Sequence, residues 1–165
     1  MCGISLVLSE ANQEISSCPC HWWLELQDRI HQRGPDYLGT ERSVISLPGG
    51  IDVTAWLAAA VLAIRGVECQ GVQKQPIPLS EPTFDSQQDF FLWNGEIFSG
   101  SFSISTEEND GAKLVESIRS ILYDSLESEE QQEQRIVELF SSIHGPYAFI
   151  FVQVIIIYRL ISITT

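Results

Sequence analysis

The stretch Cys2-Gly3-Ile4-Ser5-Leu6-Val7-Leu8 is apolar and β-branched enough to predict a buried strand that begins at the N-terminus. A strand in this place anchors the backbone of Cys2. Cysteine is also small enough for Met1 to be removed, which would leave a thiol and a free α-amine on one residue. The chain therefore opens with a well-anchored residue that can carry its own base.

The chemistry of such a residue is that of an N-terminal nucleophile. In model peptides a thiol has a pKa of about 8.5 and an α-amine a pKa of about 8, so the amine can accept the thiol proton, directly or through a water. The amine then activates the sulfur for attack. The alternative is that Cys2 is a small buried apolar residue, as a cysteine in second position usually is.

Composition indicates one globular domain that binds neither nucleic acid nor a membrane. The 165 residues are 44% apolar, which is enough for one core but not for a second complete domain. A formal charge of −13 would repel phosphate backbones and anionic lipids, so small molecules or proteins are the expected partners. The cysteines lack a framework spacing and the first residues lack a signal-peptide pattern, which predicts a cytoplasmic, reducing location.

The hydrophobic pattern of the first half predicts both helix and strand. We expect an amphipathic helix over residues 21–32, a strand over residues 42–47 and a turn at residues 48–50. Residues 56–64 are apolar without a clear period. Their alanines favour a helix by propensity, and a buried strand stays open as the alternative.

The second half predicts a strand followed by two helices. Residues 90–93 are aromatic enough for a strand, which ends in a turn at Asn94-Gly95. One helix begins at Asp110, and a second ends before Gly145-Pro146. The acidic residues 127–133 between the helix stripes indicate a solvated helix face or loop rather than a metal site.

Four short motifs then identify a family. They occur in the order Met1-Cys2-Gly3-Ile4, Arg33-Gly34-Pro35-Asp36, Asn94-Gly95-Glu96-Ile97 and Gly145-Pro146-Tyr147-Ala148-Phe149. In this order they resemble the class II glutamine amidotransferase domain of asparagine synthetases. The resemblance implies an α+β fold, the N-terminal-nucleophile αββα sandwich, and hydrolysis of glutamine to glutamate and ammonia with Cys2 as the nucleophile.

The resemblance also implies which groups stabilise the reaction's charge. Hydrolysis of an amide passes through a tetrahedral oxyanion, which needs hydrogen-bond donors already aimed at it. The family supplies these donors from the side chain and the N–H that correspond to Asn94 and Gly95 here. Without the other motifs, Asn-Gly would indicate an ordinary hairpin turn, for which this pair is favoured.

Glutamine itself presents an α-carboxylate and an α-ammonium. A selective pocket therefore requires a planar cation to bind the α-carboxylate and a carboxylate to bind the α-ammonium. The resemblance implies Arg65, ten residues before Gln75-Pro76-Ile77, for the carboxylate and Asp110 for the ammonium. Arg65 as a surface charge and Asp110 as a helix N-cap are the alternatives. We expect Glu96 to support the turn or the amino group of the substrate.

Other features are given structural roles. Arg33 and Asp36 are expected to hold the loop beside the nucleophile, and His144 is expected at the C-terminal end of the second helix. Residues 18–21 lack the spacing and the second ligand pair of a zinc site, and residues 48–52 indicate a turn rather than a pyrophosphate loop. No metal or cofactor is expected in this chain, because ATP and magnesium would belong to a synthetase domain.

The resemblance covers residues 1–150, whereas residues 151–165 form a divergent apolar tail. The apolar run 148–163 is shorter than a bilayer span and therefore indicates a core strand rather than a membrane anchor. We therefore expect a partial type-2 amidotransferase domain, incomplete at the C-terminus, whose ammonia is meant for a synthetase domain or partner protein. The competing hypotheses are a non-catalytic interaction module or inactive truncated isoform with the same fold and, third, a membrane-associated fragment.

Overall fold

The computed structural model describes residues 2–10, 21–47, 49–63, 71–80, 88–100, 104–105, 107–124 and 126–153. Within these residues the chain is α+β, with three helices and two three-stranded antiparallel sheets. The elements in chain order are β1 (Gly3–Glu10), α1 (His21–His31), β2 (Tyr37–Leu47), β3 (Ile51–Val61), β4 (Ile77–Pro78), β5 (Phe90–Gly95), α2 (Asp110–Leu122), α3 (Glu129–Ser141) and β6 (Tyr147–Val152).

The first sheet has the order β1-β3-β2, so β3 is its central strand. The predicted N-terminal strand is confirmed as β1, and Gly3 lies opposite Ala60 of β3. The predicted turn is confirmed at Gly49 and Gly50, whose φ angles of 89° and 77° lie in the left-handed region that glycine enters easily. The Gly50 N–H donates to the carbonyl of Leu47 at 3.2 Å and closes the β2–β3 hairpin.

The helix favoured over residues 56–64 is wrong and the buried strand left open as the alternative is confirmed, because residues up to Val61 belong to strand β3. This strand pairs with a neighbour on each side, and both of its faces are covered. Ala55 and Ala59 face the second sheet, while Ala58 and Ala60 lie under α1. Small side chains are needed on both faces, and this tertiary demand outweighs the intrinsic preference of alanine for a helix, because propensity is only a weak determinant of conformation. Residue 64 lies outside the described residues.

The predicted helix over residues 21–32 is confirmed as α1, which covers the outer face of the first sheet. Its buried Trp23 and Ile30 pack on the alanines of β3. The approach is close at Gly3, where an added Cβ would lie 2.8 Å from the Cβ of Ile30. Any larger residue at position 3 would therefore push the helix away from β1.

The second sheet has the order β4-β5-β6, and its two faces serve two cores. Phe90 and Leu92 of β5 pack inward against the first sheet, whereas Phe91 packs outward against α2 and α3. On the outer side the rings of Phe140 and Phe149 stack with centroids 3.9 Å apart. The layers therefore follow the order helix, sheet, sheet, helices.

The two predicted helices of the second half are confirmed, with one correction at the end of α3. A capping box begins α3: Ser128 Oγ accepts from the Gln131 N–H, and Gln131 Oε1 accepts from the Ser128 N–H. The helix ends at Ser141, so the prediction that His144 is a helical residue is wrong. Instead His144 forms a β-bridge with Ser99, because its N–H donates to the Ser99 carbonyl at 2.8 Å.

The apolar run near the C-terminus enters the core as predicted, as far as the structure describes it. Strand β6 crosses the predicted boundary at residue 150 without interruption, and Phe149, Phe151 and Val152 are buried. Residues 154–165 of the predicted tail lie outside the described residues. Among the helices described, none has the length and apolar character needed to cross a membrane.

Phe91 offers a test of this layered core, because it is fully buried between β5 and the outer helices. Replacing Phe91 by Ala removes a ring in contact with three other aromatic rings. We expect Phe91→Ala to lower the free energy of unfolding by about 3–5 kcal/mol in urea titrations. The control is Leu126→Ala at a side chain that is 94% exposed, which should change it by less than about 0.5 kcal/mol. Equal effects would contradict the described core.

Candidate functional site

A cavity of about 450 Å³ lies where the ends of several elements meet. It is bordered by the residue before β1, the segment after β3, the end of β5, the start of α2 and the start of β6. This volume is in the range of small-molecule sites. The lining residues are Cys2, Val61, Leu62, Ala63, Gln73, Gln75, Trp93, Asn94, Gly95, Glu96, Asn109, Asp110, Gly111, Pro146, Tyr147 and Ala148.

Cys2 is held at this cavity by the pairing of β1 with β3. The register that sets Gly3 opposite Ala60 brings Cys2 beside the segment that follows β3. There the Leu62 N–H donates to Cys2 Sγ at 3.3 Å, and the Cys2 thiol donates to the Leu62 carbonyl at 3.7 Å. The half-buried sulfur is thus fixed on the cavity wall by both polar groups of one residue.

The segment of residues 61–63 beside the sulfur is held by Asp36, which lies between α1 and β2. Asp36 Oδ2 accepts from the Ala63 N–H at 2.8 Å, and the Asp36 N–H donates to the Val61 carbonyl at 3.1 Å. These bonds confirm the prediction that Asp36 holds the loop beside Cys2, whereas the role of Cys2 as nucleophile stays a prediction. Arg33 is exposed, and its N–H donates to the Ile30 carbonyl at the end of α1.

Asn94 and Gly95 end strand β5 at the same cavity. Side chains alternate along a strand, and Trp93 belongs to the outer core, so the Asn94 side chain lies on the inner face toward the first sheet. The Glu96 N–H donates to the Pro146 carbonyl at 3.1 Å, which makes this a hydrogen-bonded position of the β5–β6 ladder. The preceding residue of β5, Gly95, must then direct its N–H to the opposite edge of the strand, away from β6.

The place of Gly95 also has a steric cause. A Cβ at this position would lie 2.5 Å from the Cβ of Tyr147 and 2.7 Å from the Pro146 carbonyl oxygen. No other residue fits here without moving β6. Packing alone therefore explains why this residue is glycine. Its backbone N–H is also available at the cavity.

Asp110 lies at the first position of α2, and its side chain is buried. Its Oδ2 accepts from the Ile97 N–H at 2.6 Å, which ties the start of α2 to the chain leaving β5. The alternative that Asp110 caps the helix is wrong, because Asn109 is the N-cap and its side chain accepts from the Ala112 N–H at 3.1 Å. The carboxylate also lines the cavity, so binding of an ammonium stays a prediction.

The electrostatic character of the cavity is negative in the part that the structure describes. Its charged lining side chains there are the carboxylates of Glu96 and Asp110. Burial raises the pKa of the Tyr147 hydroxyl above its ordinary range, and this hydroxyl donates to the Phe140 carbonyl at 2.9 Å. Arg65 falls in residues 64–70, outside the described residues, so its predicted contact with a carboxylate stays a prediction.

Gln75 is a lining residue whose role the sequence did not reveal. Its side chain is buried, its Nε2 donates to the Trp93 carbonyl at 3.0 Å, and its Oε1 accepts from the Trp93 N–H at 2.7 Å. The amide thus pairs with strand β5 as a strand residue would. The only signal was its place before Pro76, which has no N–H to offer.

The described residues contain no group of three or more His, Cys, Asp or Glu side chains placed to hold an ion, and the expectation that this chain holds no metal stays a prediction. Cys18 and Cys20 of the rejected zinc pattern lie outside the described residues.

Similarity to known proteins agrees with the motifs. Over 153 residues, 93% of this chain, it is 31% identical to asparagine synthetase domain-containing protein 1 of Homo sapiens, and 30% and 29% identical to the proteins of that name from Bos taurus and Gallus gallus. The chain spans about a fifth of the length of these relatives. No family model matches the chain. No solved structure matches it either.

The chain is therefore homologous to part of the proteins named asparagine synthetase domain-containing protein 1, which bears out the predicted relation in part. The class II amidotransferase subtype and the roles of the individual site residues remain predictions.

Asp110 provides a test of the site's architecture that needs no activity. Asp110→Ala removes the acceptor of the Ile97 N–H, and loss of a bond to a charged group costs about 1.5–3 kcal/mol in the free energy of unfolding. Asp110→Asn keeps a carbonyl acceptor and should cost less. The matched control is Glu116→Ala on the exposed face of α2, with an effect under about 0.5 kcal/mol. An Asp110→Ala variant as stable as this control would refute the tie.

Proposed function

We propose that this chain is a glutamine amidotransferase domain that hydrolyses glutamine to glutamate and ammonia. One observation carries the proposal: the sulfur of Cys2 and the strand end Asn94-Gly95 line the same cavity, together with Glu96 and Asp110. These residues are separated by up to 108 positions in sequence, and only folding brings them together. A sulfur, amide donors and carboxylates around one small cavity are the groups that amide hydrolysis of an amino acid requires.

We propose that the layer order helix, sheet, sheet, helices is that of the N-terminal-nucleophile αββα sandwich. In this class the nucleophile is the first residue of the mature chain, so Met1 is removed and Cys2 gains a free α-amine. The position of Cys2 directly before β1 supports this assignment, because a strand end fixes both the amine and the thiol.

In the first step the α-amine of Cys2 takes the thiol proton, and the sulfur attacks the side-chain carbonyl carbon of glutamine. The carbonyl oxygen becomes an oxyanion that the Asn94 side chain and the Gly95 N–H stabilise. The C–N bond then breaks as the protonated α-amine returns its proton to the leaving nitrogen. Ammonia leaves, and a γ-glutamyl thioester remains on Cys2.

In the second step water attacks the thioester carbonyl, with the α-amine of Cys2 as the base. The same oxyanion donors act again, and the C–S bond breaks to release glutamate and the thiol. The overall balance is one glutamine and one water converted to one glutamate and one ammonia. No metal or cofactor takes part in either step.

Substrate recognition divides between charges at the two ends of the amino acid. Asp110, with Glu96 nearby along the wall, is proposed to hold the α-ammonium, and the negative cavity favours this cation. Arg65 is proposed to bind the α-carboxylate. The ammonia is proposed to reach a synthetase domain or partner protein, where ATP and magnesium would be used, since the named relatives are about five times longer.

Cys2 is the first residue to test. We expect purified wild-type chain to have lost Met1 by intact mass and to release glutamate from glutamine, while Cys2→Ala releases none above background. The physical reason is that alanine keeps the strand and the α-amine but has no sulfur to form the thioester. Equal release by both chains would contradict the proposal.

The same experiment separates the enzyme from its rival. A folded wild-type chain that lacks Met1 and releases no glutamate would favour the non-catalytic interaction module. Far-ultraviolet circular dichroism of both chains serves as the check that each is folded.

Asn94 tests the oxyanion site separately from the nucleophile. Asn94→Ala removes one donor, which should lower kcat by roughly 100- to 1000-fold while the KM for glutamine changes little, because the oxyanion exists only in the transition state. Gln134→Ala, which removes an exposed amide on α3, is the control and should keep the wild-type kcat. A loss of less than about threefold in Asn94→Ala would remove Asn94 from the proposed oxyanion site.

A further inference from the structure

Gln75 stands at a place where strand β4 should continue but does not. The register of β4 with β5 sets Ile77 opposite Phe91, and the same register extended by two residues sets Gln75 opposite Trp93. Pro76 intervenes and cannot donate to a ladder. The side chain of Gln75 makes the missing pair instead, with one bond to the Trp93 N–H and one to the Trp93 carbonyl.

The second of these bonds acts on the peptide that joins Trp93 to Asn94. The Trp93 carbonyl belongs to that peptide, and Gln75 Nε2 donates to it. This bond therefore fixes a peptide plane that includes the backbone nitrogen of Asn94. The Gly95 N–H is directed to the same edge of β5, away from β6. Both proposed oxyanion donors therefore belong to the two residues that come directly after Trp93, whose peptide groups Gln75 binds.

The backbone of Gln75 is fixed as well, by the first sheet. An added Cβ at Gly39 of β2 would collide with the Gln75 carbonyl oxygen, so β2 and this segment are in close contact. The Gln75 side chain is buried, which makes its two bonds strong and their loss costly. Gln75 thus connects the sheet that carries Cys2 with the strand that carries the proposed donors.

We propose that Gln75 is a positioning residue that sets the orientation of the Asn94 side chain and the Gly95 N–H for the oxyanion. This rests on the proposed function. Gln75 itself lines the cavity, but its proposed effect is exerted through its bonds to Trp93 and requires no contact with the substrate. Misplacement of a catalytic donor by about 1 Å can cost on the order of 100-fold in rate, so a loosened β5 end should slow the chemical step.

The substitution Gln75→Glu distinguishes a positioning role from a merely stabilising one. A neutral carboxyl group has the same pattern as the amide: its carbonyl accepts from the Trp93 N–H and its O–H donates to the Trp93 carbonyl. An ionised carboxylate has no proton to donate and faces that carbonyl oxygen. The kcat of Gln75→Glu should therefore recover toward wild type as the pH falls.

The test measures glutamate release by the full chain across about pH 5.5 to 8.5, with kcat expressed per folded molecule and divided by the wild-type value at each pH. We expect Gln75→Leu to lose roughly 10- to 100-fold in kcat at every pH with little change in KM. Gln75→Glu should match this loss at the alkaline end and approach wild type at the acidic end.

The matched control is Gln132, whose side-chain amide donates to the carbonyls of Leu122 and Asp124 away from the cavity. Gln132→Leu and Gln132→Glu remove comparable bonds and should keep the wild-type kcat per folded molecule at every pH. If the Gln75 variants do the same in an active wild-type background, or if the Gln75→Glu ratio is flat with pH, the positioning role is overturned while the proposed function stands. A folded wild type that releases no glutamate overturns both.

Discussion

The pairing of β1 with β3 is the constraint on which the site depends. It sets Gly3 opposite Ala60 and so brings the residue before the strand to the backbone of Leu62, which holds the sulfur of Cys2. A slip of one residue would turn every β1 side chain to the other face of the sheet. The contact between Gly3 and Ile30 of α1 excludes such a slip, because only glycine fits under that helix.

The second sheet supplies the facing wall by the same kind of constraint. Strand β5 is central and covered on both faces, so its end is a rigid support for Asn94 and Gly95. The Gly95 position is closed to larger residues by β6, and the Trp93 peptide groups are held by Gln75. The cavity lies where the start of β1 and the end of β5 meet, and the segment after β3 and the starts of α2 and β6 contribute further lining.

Sequence patterns predicted the parts of this structure that local rules govern. The periodic helices and the aromatic strand were found, and the ordered motifs led to residues that share one cavity. The sequence favoured a helix for the alanine-rich strand β3 and left a strand open as the alternative, because its conformation depends on two neighbouring strands. The bond from Ile97 to Asp110 and the clamp by Gln75 could not be predicted, since each joins residues 13 to 18 positions apart through tertiary geometry.

The central claim is that Cys2, once Met1 is removed, carries the acyl group of glutamine during turnover. The most direct measurement is mass spectrometry of the N-terminal peptide after acid quench of the chain during hydrolysis of glutamine. The account predicts a peptide that begins at Cys2 and carries one glutamyl group on sulfur. Ongoing release of glutamate with the adduct on another residue, or with Met1 still in place, would contradict it.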